Sequence, residues 1–263
     1  MDLGLKGKTA LVLGAGGGLG GAIALSLAEE GAHVALADIS KESLERTAIE
    51  VAAAAGPGRH MMLEWDISDL SLIAPRIAEI EAALGPVDVL VNNTGGPPPT
   101  PASGQDPELW TKHFNAMVLS VIGITDAVLP GMRARKWGRI ITSTSSGVVA
   151  PIPNLAISNA LRLSLVGWSK TLAREVGGHG ITANIALPGR IATDRIRFLD
   201  EQKAKREGRE VEAVSKESTA SIPAGRYGEP REYGDTVAFL ASERASYING
   251  SVIRVDGGLI AGI

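Results

Sequence analysis

Three features of the sequence predict an α/β protein built on a doubly wound parallel sheet. Ala10 to Leu13 form a short, wholly apolar run, as expected of a central parallel strand covered on both faces. A glycine cluster (Gly14, Gly16, Gly17, Gly18, Gly20) follows at once and leads into a helical pattern from about Gly18 to Glu30. A second apolar run, His33 to Ala37, ends in Asp38, about 20 residues beyond the glycines. From there strand-like and helix-like stretches alternate, as in parallel strands joined by crossover helices.

The glycine turn carries the first functional expectation. Glycines allow a phosphate-bearing ligand to approach the main chain, and a helix start aims free N–H groups and the positive end of its dipole at an anion. A glycine turn by itself also serves packing. Here the acid at Asp38 stands where a carboxylate accepts hydrogen bonds from an adenosine ribose, so the expected ligand is a dinucleotide. With no Arg directly after Asp38 or in the turn, NAD is expected over NADP, whose 2′-phosphate the carboxylate would repel.

Composition bounds the alternatives. The 263 residues suit one large domain, and no linker divides them. Hydrophobic residues make up 44% and charged ones 21%, enough for a substantial core. The net charge of −3 with scattered basic residues argues against a nucleic-acid partner. There is no cysteine, so thiolate chemistry and disulfides are excluded. The first residues lack a signal-peptide pattern and no run of membrane-spanning length is expected, so the default location is cytoplasmic.

The remaining elements follow in order. Ser40 is expected to cap a helix running to about Ala55 and ending at Gly56-Pro57-Gly58. Met61 to Trp65 read as the third strand, followed by Asp66 and Ile67. Ile73, Ile77, Ile80 and Leu84 have helical spacing, stopped by Gly85-Pro86. Val87 to Val91 form the fourth strand, leading into Asn92-Asn93-Thr94-Gly95. A loop stiffened by Pro97, Pro98, Pro99 and Pro101 comes next, placed to wall a substrate pocket. Pro107 to Met132 read as one long helix with Trp110, Phe114, Met117, Val121, Ile124 and Val128 on one side. Gly138 onward is the fifth strand, exiting at Ser145, and about Leu155 to Val176 another helix. Thr182 starts the sixth strand, which runs into Pro188-Gly189-Arg190-Ile191-Ala192-Thr193. Residues 194 to 221 carry mixed charges and are read as a helical lid within a segment of about 190–222, the alternative being a surface insertion without a role. A last helix follows Gly225-Arg-Tyr-Gly-Glu-Pro, and the seventh strand lies between Gly250 and Gly258.

Together these stretches resemble the short-chain dehydrogenase/reductase family, and among its members the 3-oxoacyl-ACP-reductase-like proteins. The carrying features are Gly14-x-x-x-Gly18-x-Gly20, Asn92-Asn93-Thr94-Gly95, the Ser145 strand exit, the ungapped Leu165–Val176 segment, Pro188-Gly189-x-x-x-Thr193 and Val255-Asp256-Gly257-Gly258. The resemblance spans essentially the whole chain. It implies a single-domain Rossmann fold over 1–263, with a seven-stranded parallel sheet in the order 3-2-1-4-5-6-7 and helices on both faces. It further implies cofactor contacts from Gly14, Gly17, Gly18, Leu19 and Gly20, from Asp38, from Asp66 and Ile67 at the adenine, and from Asn93 and Gly95. Pro188, Gly189, Ile191 and Thr193 would hold the nicotinamide side, with no metal. A homotetramer is also implied, its interfaces made by the helices at about 107 to 132 and 155 to 176.

The family's catalytic groups map onto Asn115, Ser145, Ser158 and Arg162, and two of the four differ. Counted from Ser145, and fixed from the other side by Leu165–Val176, the family's Tyr position holds Ser158 and its Lys position Arg162. An aliphatic hydroxyl is a far weaker acid than phenol, whose pKa is near 10 and can be tuned toward neutrality. Arginine still donates hydrogen bonds to a ribose but stays protonated and relays no proton. Three functions remain open. One is an NAD-dependent oxidoreductase acting on a small carbonyl or alcohol. The second is a dinucleotide-binding protein without turnover, as a regulatory or partner subunit. The third is elimination or dehalogenation on the same scaffold. Arg190 is a further candidate, either for an acidic substrate group or as a surface or cofactor contact.

Overall fold

The computed structural model describes residues 1–54 and 58–263. Seven strands, β1 (Thr9–Leu13), β2 (His33–Asp38), β3 (His60–Glu64), β4 (Val87–Asn92), β5 (Gly138–Ser143), β6 (Ile181–Pro188) and β7 (Val252–Val255), form one sheet in the order β3-β2-β1-β4-β5-β6-β7. All neighbouring pairs are parallel, with Leu11 beside Ala35 on one side and beside Leu90 on the other. This is the doubly wound Rossmann topology expected from the sequence.

The apolar strands are explained by two cores, one on each face. Side chains alternate along a strand, so Ala10 and Val12 enter one core and Leu11 and Leu13 the other. The first core is roofed by α1 (Gly18–Glu29), α2 (Lys41–Ala54) and α9 (Pro230–Ala241), through Ile23, Leu27, Leu44, Val51, Val237 and Leu240. The second is roofed by α3 (Ile73–Leu84), α5 (Ser120–Arg135) and α6 (Ala156–Val176), through Ile77, Ile80, Ile124, Val128, Leu172 and Val176. Both faces are covered, which is why β1, β2 and β4 read as continuous apolar runs rather than alternating ones.

Several boundaries differ from expectation. The Ser40 hydroxyl does accept from the Ser43 N–H at the start of α2, but the expected end of that helix falls at 55–57, outside the described residues. Trp65 lies just past β3 and is buried. The stretch expected as one helix from Pro107 is α4 (Pro107–Phe114), a π turn (Asn115–Leu119) and α5 in continuous succession. Asp106 caps it, its carboxylate accepting from the Glu108 N–H at 2.8 Å. The wider turn shifts the apolar stripe, so Phe114 stays 39% exposed while Met117, Val121, Ile124 and Val128 are buried.

This composite helix, Pro107–Arg135, is by length and composition apolar enough to cross a membrane, contrary to the expectation that no segment would be. Its buried side is a core face, packed on the sheet and on α3. It also packs on α6 through Met117, Val118, Val121, Ile157, Leu161 and Leu165, so much of the apolar surface expected to need a second subunit is covered within the chain. The charged stretch after Thr193 is helical as expected, forming α7 (Asp194–Glu207) and α8 (Val211–Ala220).

The turn between β1 and α1 shows the tightest packing. Gly14 has φ +60°, and a Cβ there would meet the Asn93 carbonyl oxygen at 2.7 Å. A Cβ on Gly20 would collide with the Gly14 carbonyl oxygen. Gly20→Ala should therefore cost roughly 1–3 kcal/mol of stability, the range for overpacking a close contact. Urea unfolding monitored by circular dichroism would show it as a lower midpoint with an unchanged slope.

Candidate active site

The site lies where an open parallel sheet places it, at the carboxyl ends of the strands beside the β1/β4 crossing, where the chain order reverses. A cleft of about 1320 Å³ opens there. Of the site residues expected from the sequence, all but Gly20 line it. Gly20 is buried against Gly14 instead and shapes the turn from behind.

One end of the cleft gathers the glycine turn, the start of α1 and Asp38. Helix α1 begins after Gly17 with no side chain capping its first N–H groups, so its positive end faces the cleft open. The Asp38 carboxylate sits against the same turn, accepting from the Gly16 N–H at 2.9 Å and from the Ser40 N–H at 3.0 Å. Those two bonds fix its orientation at the end of β2. Asp66 accepts from the Ser68 N–H and hydroxyl, a local turn that holds its side chain at the cleft edge beside Ile67. Asn93 straps β4 to β1, its amide donating to the Leu13 and Gly14 carbonyls at 3.2 and 3.3 Å. On the opposite wall Thr193 caps α7 by accepting from the Ile196 N–H, and its methyl lies across from Gly18. Arg46, on α2, was not singled out from sequence; it lines the same end while paired to Glu42.

The other end gathers the catalytic candidates. Asn115 opens the π turn, a local irregularity often found where a helix must present a functional side chain. Ser145 ends the β5 exit, its hydroxyl accepting from the Gly147 N–H at 3.1 Å. Ser158 and Arg162 stand four residues apart on α6 and so share one face, both buried and both on the cleft wall. Arg162 donates to the Thr94, Gly95 and Ser143 carbonyls at 3.0, 3.1 and 3.3 Å, which ties α6 to the ends of β4 and β5. Burial pushes its pKa down to about 10, with the nearby Tyr233 hydroxyl opposing and Arg195 adding to the shift, so it remains a cation at neutral pH.

No tyrosine takes the family's position. Tyr233, remote in sequence, does come back to this end of β5, where its hydroxyl donates to the Ala186 carbonyl and lies 2.8 Å from the Ser143 hydroxyl. It is fully buried in the core behind the sheet and does not line the cleft. Burial, the largest effect, holds the phenol well above its ordinary pKa, against the Ser143 hydrogen bond and the Arg162 charge. It is a structural hydroxyl.

The rim completes the site. The proline loop is pinned by Thr100, whose N–H donates to the Asn154 carbonyl at 2.7 Å and whose carbonyl accepts from Ala156, and Pro99 faces the cleft. Arg190 is engaged by Asp200 at 2.9 Å, and the Tyr227 hydroxyl donates to the other Asp200 oxygen at 2.6 Å, so this triad anchors α7. That geometry makes Arg190 an anchor of α7 rather than a free anion receptor. Arg195, not singled out from sequence, reaches from the first turn of α7 to the Pro97 carbonyl at 2.8 Å. Its signal in the sequence was a cation at the positive end of a helix, where the dipole disfavours it.

A dinucleotide fits these residues. The uncapped start of α1 offers N–H groups for a pyrophosphate, and the Thr94 and Thr144 hydroxyls are buried in the cleft wall without a hydrogen-bond partner among the described residues.

Comparison with known proteins agrees with this geometry. The family model described as enoyl-(acyl carrier protein) reductase matches residues 14–260. The 3-oxoacyl-(acyl-carrier-protein) reductase FabG of Escherichia coli (strain K12) is 37% identical over 257 residues, 97% of this chain and 98% of that one. Among solved structures, L-sorbose reductase from Gluconobacter frateurii complexed with NADPH and L-sorbose superimposes with a TM-score of 0.93 at 30% identity, covering 100% of both chains. NAD+-bound xylitol dehydrogenase does so with a TM-score of 0.89 at 26% identity, covering 97% of this chain and 99% of that one. A glycine turn, a ribose-end acid and a serine strand exit, matched to reductases along nearly the whole chain, place it in the short-chain dehydrogenase/reductase family as an oxidoreductase similar to the 3-oxoacyl-ACP reductases.

Proposed function

We propose that the protein is an NAD(H)-dependent oxidoreductase acting on a small carbonyl or alcohol substrate, with Ser145, Asn115, Ser158 and Arg162 in place of the family's usual set. The observation that carries this reading is one continuous cleft with the ribose-end carboxylate of Asp38 at one end and Ser145, Ser158 and Arg162 at the other. Gly14, Gly17, Gly18 and Leu19 would hold the pyrophosphate, Asp38 the ribose hydroxyls, Asp66 and Ile67 the adenine. Asn93, Gly95, Arg162, Pro188, Gly189, Ile191 and Thr193 would hold the nicotinamide half. When bound, the cofactor gives a hydride to a carbonyl carbon or takes one from an alcohol.

The chain's own residues do the rest. The Ser145 hydroxyl is free to donate toward a substrate oxygen because its hydrogen bond to Gly147 uses it only as acceptor. The Arg162 guanidinium, fixed on three carbonyls, orients the ribose side and favours negative charge developing on the substrate oxygen. It moves no proton at neutral pH. The proton to the substrate oxygen therefore comes through Ser145 from water, a slower route than a tuned phenol. The absence of a phenol on the cleft wall also favours, as a second reading, dinucleotide binding without turnover. We place the protein in the cytoplasm and expect a homotetramer. Phe114, Val149 and Leu163 leave apolar surface exposed on and beside the helices expected to form its interfaces, and multi-angle light scattering should return four times the chain mass.

The cofactor assignment is tested at Asp38. Calorimetry should show NADH binding more tightly than NADPH, and Asp38→Ala should narrow that preference by about tenfold or more, the cost of hydrogen bonds to a charged group. Tighter NADPH binding by the wild type would refute it.

The mechanism is tested by a mutant series. Ser158→Ala should lower turnover by less than about tenfold, while Ser145→Ala should cost on the order of 10²-fold through lost polarisation and Arg162→Ala a comparable amount. The rate should stay flat between about pH 7 and 9, since burial and the Lys112 charge hold the cleft-wall imidazole of His113 below its ordinary pKa. Ser158→Tyr combined with Arg162→Lys should raise reduction of a small ketone toward the about 10²- to 10⁴-fold that a positioned acid contributes. A brisk wild-type rate that collapses on Ser158→Ala would overturn this assignment.

A further inference from the structure

Most cations on the cleft wall are neutralised within the chain: Arg46 by Glu42, Arg190 by Asp200, Lys203 by Glu217 and Arg206 by Glu207. Arg162, Arg195 and Lys112 have no carboxylate partner among the described residues. Arg162 and Arg195 donate only to backbone carbonyls. Their Nη2 atoms converge: a Cβ built on Gly96 would lie 3.8 Å from the one and 3.4 Å from the other. Burial lowers the pKa of both, and the Arg195 charge lowers that of the buried Arg162 further, against the opposing Tyr233 hydroxyl.

Carbonyl dipoles satisfy some of the N–H groups but cancel no net charge. Arg162 Nη2 spends both of its N–H groups on the Thr94 and Gly95 carbonyls and brings mainly charge to this point, whereas Arg195 uses one of its five donors and keeps the rest of its fork for an anion. Bringing two like charges together in a partly desolvated cleft is costly, and an anion seated between them offsets that cost through bidentate, charge-assisted bonds. The location also separates this point from the pyrophosphate end. Gly96 begins the proline loop past β4, beside the Ser158 and Arg162 wall, whereas the uncapped start of α1 lies at the other end with Asp38.

We propose that Arg162 and Arg195 form a receptor at Gly96 for an oxyanion carried by the substrate, so that the protein acts on an anionic carbonyl compound such as an oxo acid. Arg195 is the specificity-determining member, because it holds the anion from the lid side while Arg162 also serves the cofactor ribose. Arginine is suited to this because its planar fork matches an oxyanion in two contacts. The identity of the substrate rests on the oxidoreductase reading above; the receptor itself does not.

Two measurements separate them. Malonate, which carries carboxylates and no reducible carbonyl, is titrated by calorimetry into the NADH-loaded protein, with inorganic phosphate as a second probe. The wild type should bind malonate, Arg195→Gln should weaken it by about tenfold or more, and NADH affinity should be unchanged. Arg197→Gln, on the same helix but away from the cleft wall and paired to Asp194, should leave both unchanged. In turnover, Arg195→Gln should raise the KM for acetoacetate by the same factor and leave that for methyl acetoacetate unaltered. Phosphate binding more tightly than malonate with the same Arg195 dependence would support the receptor and assign it to a phosphate-bearing substrate. Malonate binding that is absent, or indifferent to Arg195→Gln, would overturn the proposal, as would an equal loss of NADH affinity. If neither acetoacetate nor its ester is turned over while malonate binding still depends on Arg195, the oxidoreductase reading fails and the receptor stands.

Discussion

The site depends on a single close contact, the seating of α1 against the end of β1. Gly20 lies on the Gly14 carbonyl with no room for a side-chain carbon, and Asn93 donates from β4 to the Leu13 and Gly14 carbonyls. Three elements are thereby locked at the point where the chain runs outward to β2 on one side and across to β4 on the other. The crevice between those two directions is the cleft. A methyl group on Gly20 would push α1 off the Gly14 carbonyl and shift its first N–H groups relative to Gly16 and the β2 carboxylate of Asp38 that Gly16 holds.

A second constraint concerns charge. The end of β5 meets two ionisable groups from distant parts of the chain, Arg162 on α6 and Tyr233 on α9, and the sheet separates them. Tyr233 is turned into the core and acts as a hydrogen-bonded strut between Ser143 and Ala186. Arg162 is turned to the cleft and bound to three carbonyls. The cation is therefore available to ligands while the phenol is not. This arrangement puts a fixed positive field beside Ser145 and Ser158 and keeps the Tyr233 phenol off the cleft wall. Under the receptor proposed at Gly96, that field and the Arg195 charge on the rim would together favour substrates that bring negative charge.

Helix α7 on the cleft wall is held by the same kind of contact. Asp200 accepts from both Arg190 and Tyr227, so α7 is anchored at its middle by a nearly buried carboxylate. Its first turn, with Thr193 opposite Gly18 and Arg195 on Pro97, closes over the cleft from that anchor. One helix start thus faces the glycine turn and the proline loop together.

The sequence by itself determined the sheet and most of the cleft wall. Its inner strands read as largely apolar runs because both faces are covered, and Gly14, Asp38, Asn93 and Pro188-Gly189 sit at strand ends whose position follows from topology. The replacement at Ser158 and Arg162 was legible too, since their register was fixed from both sides. The tertiary structure alone decided what depends on segments remote in sequence. Arg190 was an open candidate until Asp200 and Tyr227 were seen to engage it, and Arg195 was one charge among many in a mixed stretch until the chain placed it beside Gly96 and Arg162. The π turn that leaves Phe114 exposed has no signature in the apolar spacing, because five residues of wider winding only rotate the stripe. Local pattern records which face of an element is buried; which charges meet, and which are left without a partner, is settled by the path of the whole chain.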